Sequence, residues 1–322
     1  MTAQREDRSS RGPQSQASDT ATMSRPAPSP ETLASGLRRV SLSRRRRLVD
    51  RLATGGMVLS LLLAVVPLGL VCYYVILKGG KVISLAFLTD DIPRQVRRVG
   101  PGMGPAIVGT IVITGMAALL AIPLGVLAAI YLNEYGKQKP LAQVIRTMAD
   151  VMTGVPSIVM GLFVYVTWVV ATGTTSGFAG SLALACLMLP VVIRSSEEIL
   201  RLVPDELRQA SLALGARRWR TTVTVVLPAA ISGIVSGALL AIARAAGETA
   251  PLIATIGITF STNWKLTGDN TALPAQIFRN ASQPFAGAQE RAWGAALTLV
   301  TIVLVFTFIA RLIANRFAIK ER

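Results

Sequence analysis

The chain contains no histidine. That removes the commonest metal ligand and the side chain best suited to proton transfer near neutral pH. Only two cysteines occur, Cys72 and Cys186, and both fall inside apolar runs. There a thiol acts as a small core residue, so neither a disulfide nor a reactive thiol is expected. No Ser–His or Cys–His pairing can form, and the sequence has no cluster of metal-ligating residues. A GxxxxGK(S/T) string is also missing. Gly136-Lys137 lacks the loop before it and the hydroxyl after it, so the chain does not bind ATP by that route. Catalysis, a metal and a cofactor are therefore not expected of this polypeptide. Charge is scarce as well: 16% of residues are charged, 52% are apolar, and the mean hydropathy is +0.53. A soluble domain of this length would carry more charge, so the composition indicates an all-α polytopic membrane protein.

The charge that is present is mostly positive, 33 Lys and Arg against 17 Asp and Glu, a net +16. A nucleic-acid partner is not expected, because the basic residues border apolar runs and do not form one folded face. Residues 1–51 are rich in Ser, Pro, Gln and Arg and have no apolar periodicity. They read as a disordered, basic, cytoplasmic tail that buries too little to offset the entropy of ordering. The first apolar run starts too late and is too long for a cleavable signal peptide. Arg38-Arg39 and Arg44 to Arg47 are placed against the membrane lipid, at anionic cytoplasmic headgroups.

Residues 52–322 read as one transmembrane domain. Six windows suit a bilayer core of roughly 30 Å. They lie near 53–77, 105–133, 148–171, 177–194, 223–257 and 293–314. The fourth is short for a span, and the fifth is long enough to include a broken or interfacial portion. Pro67, Pro123, Pro156, Pro190 and Pro251 lie in or at the ends of these windows, so kinks are expected. Gly233 and Gly237 stand at GxxxG spacing and suit close helix packing. With the N-terminus inside, most Lys and Arg fall on the inner side, so both termini are expected in the cytoplasm. Arg94, Arg97 and Arg98 run against this bias; they fit snorkelling at the outer interface better than anion attraction.

The segment 195–222 reads as an inner loop with a distinctive pattern. Pro204 suits a helix start. Leu207, Ala210 and Leu214 share one helical face, and Gly215 suits a left-handed cap. Ala216 to Thr221 can begin a second short helix, with Arg217, Arg218 and Arg220 at its flank. Such a helix–turn–helix can seat its apolar face in a groove of a partner; the plain alternative is an ordinary loop at the headgroups. From Gln209 to Pro228 the spacing resembles the coupling motif of ABC-importer permeases: E-A-A, three residues, Gly, nine residues, I-x-L-P. Ala210, Gly215, Leu227 and Pro228 match it. Gln209 stands for the Glu, Ser211 for the third small residue and Val225 for the Ile. Glu206, Gln209, Ala210, Leu214, Gly215, Ala216, Leu227 and Pro228 are thus the candidate ATPase-coupling residues.

A second constellation lies in the fifth window. Arg244 and Glu248 are four apart, share a helix face and can pair. A charge at mid-membrane costs roughly 2.5–3.5 kcal/mol on insertion scales, so such residues usually face a cavity. A guanidinium matches a tetrahedral oxyanion with two parallel hydrogen bonds. One reading is an anion site with a switchable ion pair; the other is a structural pair locking two helices. Arg194, followed by Ser195, Ser196, Glu197 and Glu198, is either a third anion contact or an interfacial anchor. Thr249, Thr255 and Thr259 carry hydroxyls that can meet an anion or bond their own backbone.

Further strings narrow the resemblance: AIVGT at Ala106–Thr110, GVPSI at Gly154–Ile158, Leu189-Pro190 through Arg194 with Glu197-Glu198, RAAGETAP at Arg244–Pro251, and LPAQIF at Leu273–Phe278. Over roughly residues 52–316 the chain resembles the PstA-type permease family of phosphate ABC importers. The resemblance implies the six-helix type I importer permease fold with a cytoplasmic coupling helix, in the cell membrane. It implies import of inorganic phosphate by alternating access. Its partners would be a second, homologous permease in a heterodimer, a cytoplasmic ATPase dimer that hydrolyses the ATP, and an extracytoplasmic phosphate-binding protein. Arg194, Arg244 and Glu248 would handle the anion, with Thr249 beside them. A permease for molybdate or sulfate is the near alternative, and a stand-alone channel or membrane anchor the distant one.

Overall fold

The computed structural model describes residues 44–97, 102–136 and 139–317. The tail up to residue 43, and with it Arg38-Arg39, lies outside the described residues, as does Arg98. The chain divides after Val65. In the first unit the described residues 44–65 are helical and belong to α1 (Arg44–Gly79), so the basic run Arg44 to Arg47 opens a helix. Among its described residues, the second unit holds the rest of α1 and eleven further helices. These are α2 (Leu85–Thr89), α3 (Gly104–Ile130), α4 (Pro140–Gly154), α5 (Ser157–Val164), α6 (Gly177–Leu202), α7 (Asp205–Ala213), α8 (Arg218–Thr221), α9 (Leu227–Ala246), α10 (Ala250–Thr255), α11 (Leu273–Ala281) and α12 (Ala286–Phe317). Wider π-type turns continue α3 to Tyr135, lead α5 to a last turn at Val170–Thr172, and join α8 to α9.

Five stretches among the described residues are long and apolar enough to cross a membrane: Leu48–Gly79, Gly104–Tyr135, Gly177–Leu202, Arg218–Ala246 and Ala286–Ile309. A sixth requires α4 and α5 together, and here the single window at 148–171 needs correction. The axis turns by 107° between the two helices. Val155 is extended (φ −73°, ψ 128°) because it precedes Pro156, whose ring disfavours a helical residue before it. Two other windows change shape. The one ending at 194 runs on to Leu202, so residues 195–202 are helix and not loop. Glu197 and Arg201 pair at i, i+4 (2.7 Å) across this extension. Val203, extended before Pro204, ends it. The window at 223–257 contains α9, a break at Gly247–Thr249, and α10.

The main core lies between α3, α6, α9, α10 and α11. Ile113, Ala117 and Ala121 meet Leu184, Met188 and Val192, with Ala241, Ala245, Leu252, Ile256 and Ala275 closing the cluster. Small residues let these backbones approach closely. A Cβ on Gly233 would lie 2.6 Å from Ile199, and one on Gly237 2.6 Å from Ser195 Oγ, so the GxxxG face packs on α6. Gly109 is tighter: a Cβ there would overlap the Thr271 carbonyl. Outside the spans, Arg279 of α11 donates to the Gly257 carbonyl (3.0 Å), and burial lowers its pKa from the ordinary arginine value.

Candidate functional site

Arg244 sits in the last turn of α9, where a cation complements the helix dipole. Its Nε lies 3.8 Å from Glu248 Oε1, long for an ion pair, and it makes no other side-chain bond among the described residues. The Arg244 side chain is 71% exposed and that of Glu248 23%. Glu248 lies in the break between the two helices, its amide donating to Ala245 O (3.1 Å). Thr249 begins α10 without a side-chain cap, and no hydrogen bond from its hydroxyl is found among the described residues. Thr255 and Thr259 do bond backbone, to Pro251 O (2.8 Å) and Ser261 O (3.1 Å). The break is braced from two sides. Gly161 of α5 leaves room for Pro251, and Gly180 of α6 leaves room for Ile256. Arg244, Glu248 and Thr249 therefore share one discontinuity, held by packed neighbours, with the guanidinium turned outward from this chain.

Arg194 belongs to a different cluster. It contacts Asp150, approaches Glu197 Oε2 (3.2 Å) and donates to the Arg146 carbonyl (3.3 Å). Glu197, with a side chain only 2% exposed, also accepts from Arg146 Nε (2.7 Å) and Arg201 Nη2 (2.7 Å). Gly237 faces Ser195 and Gly233 faces Ile199, which fixes the antiparallel register of α6 and α9. On that register Arg194 lies about six residues, roughly 9 Å, along the axis from the level of Arg244. The structure thus separates the two arginines by position and by partners.

The segment expected to couple to an ATPase forms the helix–turn–helix α7–α8. Asp205 and Glu206 open α7, where acidic groups suit the dipole. Gly215 has φ +82°; its amide donates to Leu212 O (2.9 Å) and that of Ala216 to Ser211 O (3.2 Å). This paired closure is a Schellman turn, which glycine enters without a Cβ penalty. Leu207, Gln209, Ala210 and Leu214 are exposed, Leu214 by 89%, so the turn presents an uncovered apolar face. Leu227 and Pro228 open α9 beyond the π turn, at the root of the hairpin.

Sequence reasoning missed what holds this hairpin. Arg208, its side chain 11% exposed, donates to Glu134 (3.0 Å), Asp205 (2.9 Å), Val203 O (2.6 Å) and Leu200 O (2.8 Å). One guanidinium so ties α7 to the end of α6 and to the π turn closing α3. The i, i+3 spacing to Asp205 was readable; Glu134, 74 residues away, carried no local signal.

Residues 121–319 match the family model for the binding-protein-dependent transport system inner membrane component. The chain is 42% identical over 288 residues to the phosphate transport system permease protein PstA 1 of Mycobacterium tuberculosis (strain CDC 1551 / Oshkosh), covering 87% of this chain and 93% of that protein. It is 41% identical over 276 residues to the phosphate transport system permease protein PstA of Yersinia pestis, covering 84% and 93%. In fold it is similar to the MetNI methionine ABC transporter solved in an inward-facing conformation, at a TM-score of 0.54 and 21% identity, over 66% of this chain and 93% of that chain. With its apolar helices and its small-residue packing, the chain is a multi-pass membrane protein and a permease, not an enzyme: it belongs to the binding-protein-dependent transport system inner membrane components, among the PstA permeases.

Proposed function

We propose that this chain is the permease subunit through which an ATP-driven importer carries inorganic phosphate across the cell membrane. The observation that carries the reading is the Arg244 guanidinium, 71% exposed on a membrane helix beside a braced break, with only a 3.8 Å contact to Glu248. A guanidinium so placed does not face hydrocarbon; it requires a polar passage completed by another chain. A second, homologous permease supplies the other wall in a heterodimer. The names of the relatives support phosphate as the anion. The termini and α7–α8 lie in the cytoplasm, where an ATPase dimer seats the apolar face of the hairpin. A phosphate-binding protein delivers the anion on the far side, and the chain takes no cofactor of its own.

In this mechanism ATP-driven closure of the ATPases pushes α7, and the spans rock so that Arg244 faces first one side and then the other. Two parallel N–H donors hold the phosphate oxygens. Glu248 draws away or takes up a proton as the anion occupies the fork. Affinity at this point stays modest, since an anion held too tightly would not leave. Thr249 offers a hydroxyl to the same anion. Arg194 acts near the inner end of the path, within its ion cluster.

The test is reconstitution. Purified in mild detergent, the tagged chain should retain the ATPase and a second six-span permease. In proteoliposomes with the binding protein, it should take up phosphate only with ATP. Equal uptake of molybdate or sulfate, or a chain that purifies alone, would overturn the reading. A narrower test concerns the turn. Gly215→Val should strain the left-handed position by about 1–2 kcal/mol, since an added Cβ meets nothing within 4 Å and the cost comes from the backbone conformation. ATP hydrolysis should persist while phosphate moved per ATP falls; unchanged coupling would show that the turn geometry is dispensable.

A further inference from the structure

Behind the coupling hairpin lies a cavity of about 450 Å³ lined by Glu134, Tyr135, Lys139, Arg208, Leu212, Arg218, Thr221 and Thr222. Its charges are unevenly matched. Arg208 is shared between Glu134 (3.0 Å) and Asp205 (2.9 Å), and of these two carboxylates only Glu134 lines the cavity. Lys139 and Arg218 have no ion-pair partner among the described residues, although both line the same space. Two uncompensated cations around one cavity raise its potential and favour an anion between them. The position also selects the anion. One stretch able to cross a membrane ends at Tyr135 and another begins at Arg218. Both stretches are longer than a hydrocarbon core of about 30 Å, so these ends, and the cavity between them, fall on the headgroup side of it. Leu212 and the Tyr135 ring add an apolar wall, and the Tyr135 hydroxyl makes no hydrogen bond to the described residues.

We infer that this cavity is a phosphate-group site, filled by the phosphodiester of an anionic phospholipid. Basic pockets between membrane helices recognise such headgroups by the charge of the phosphate. Lys139 and Arg218 flank the phosphodiester, Tyr135 donates its hydroxyl, and Leu212 meets the glycerol. The occupant bridges the start of α4 to α8 and so braces the hairpin from behind. The site does not depend on Arg244 or on which anion is carried; only the assembly used to test it rests on the proposed function. Free inorganic phosphate has the same chemistry and is the second possible source.

The test compares the intact transporter carrying the wild-type chain with one carrying Lys139→Gln/Arg218→Gln, by native mass spectrometry with phosphatidylglycerol or phosphatidylcholine. Two basic residues near an anionic headgroup each strengthen binding about fivefold, so the double variant should retain phosphatidylglycerol about twenty-fivefold more weakly. Phosphatidylcholine retention should not change. If millimolar inorganic phosphate displaces the lipid from wild type and not from the variant, the free anion is the occupant and the lipid assignment falls. Equal phosphatidylglycerol retention by both forms overturns the site. Lys139→Arg/Arg218→Lys preserves both charges and should hold the lipid as wild type does, which guards against a folding defect; loss there overturns the charge argument.

Discussion

Arg244→Gln, in a transporter that still assembles, should reduce phosphate uptake by roughly two orders of magnitude or more. Glutamine keeps most of the size and some hydrogen bonding, and loses the charge and the forked pair of donors. Hydrogen bonds to charged groups are worth about 1.5–3 kcal/mol each, and the fork supplies two of them to one tetrahedral anion. Little structural cost should accompany the change. The side chain is largely exposed and its link to Glu248 is 3.8 Å long. Gel filtration and basal ATP hydrolysis should therefore match wild type while labelled phosphate accumulation in proteoliposomes disappears. Uptake at the wild-type rate would remove Arg244 from the path.

The second large effect is on stability. Glu197→Ala should destabilise the chain by about 3 kcal/mol, the lower end expected for breaking a buried ion pair. Three arginines, Arg146, Arg194 and Arg201, converge on this carboxylate. Its loss leaves them without their shared counter-ion. All three retain some solvent contact, and Arg194 keeps Asp150, so screening holds the effect below the upper end of that range. By the usual scaling for a chain of this length the apparent Tm should fall by about 5 °C. Glu198 is the internal control. It has the same chemistry one residue on, is exposed, and makes no ion pair among the described residues. Glu198→Ala should stay within about 0.5 kcal/mol of wild type. Equal melting of the two variants would deny the cluster its structural role.

The contrast between these glutamates shows where sequence reading stops. Both stand at the end of an apolar window, and nothing local ranks them. Glu197 is distinguished by Arg146, 51 residues earlier, which packing of α4 against α6 brings to it. The apolar windows were legible because a bilayer demands length and hydropathy, and both are summed along the chain. Direction is not summed in that way, so the 107° turn at Val155-Pro156 looked like a kink inside one span. The helical stretch to Leu202 was hidden for a related reason. Its polar residues resemble loop composition, yet they satisfy one another on the helix surface. Arg244 and Glu248 were the easiest of all, since two charges four apart in apolar surroundings stand out at once. The face they occupy is fixed by neighbouring helices, and only coordinates reveal it.

The clamp at Arg208 has a consequence for how such permeases diverge. Glu134, on which it closes, lies far upstream in the chain; its other acceptors are Asp205, which belongs to the hairpin, and the Leu200 and Val203 carbonyls, backbone atoms that any residue provides. A hairpin transplanted between relatives would thus arrive with its apolar face intact and still rock loosely on its mount, unless the distant carboxylate travelled with it. Exchange of the hairpin is then a two-locus change, and drift at one locus is free only while the other waits.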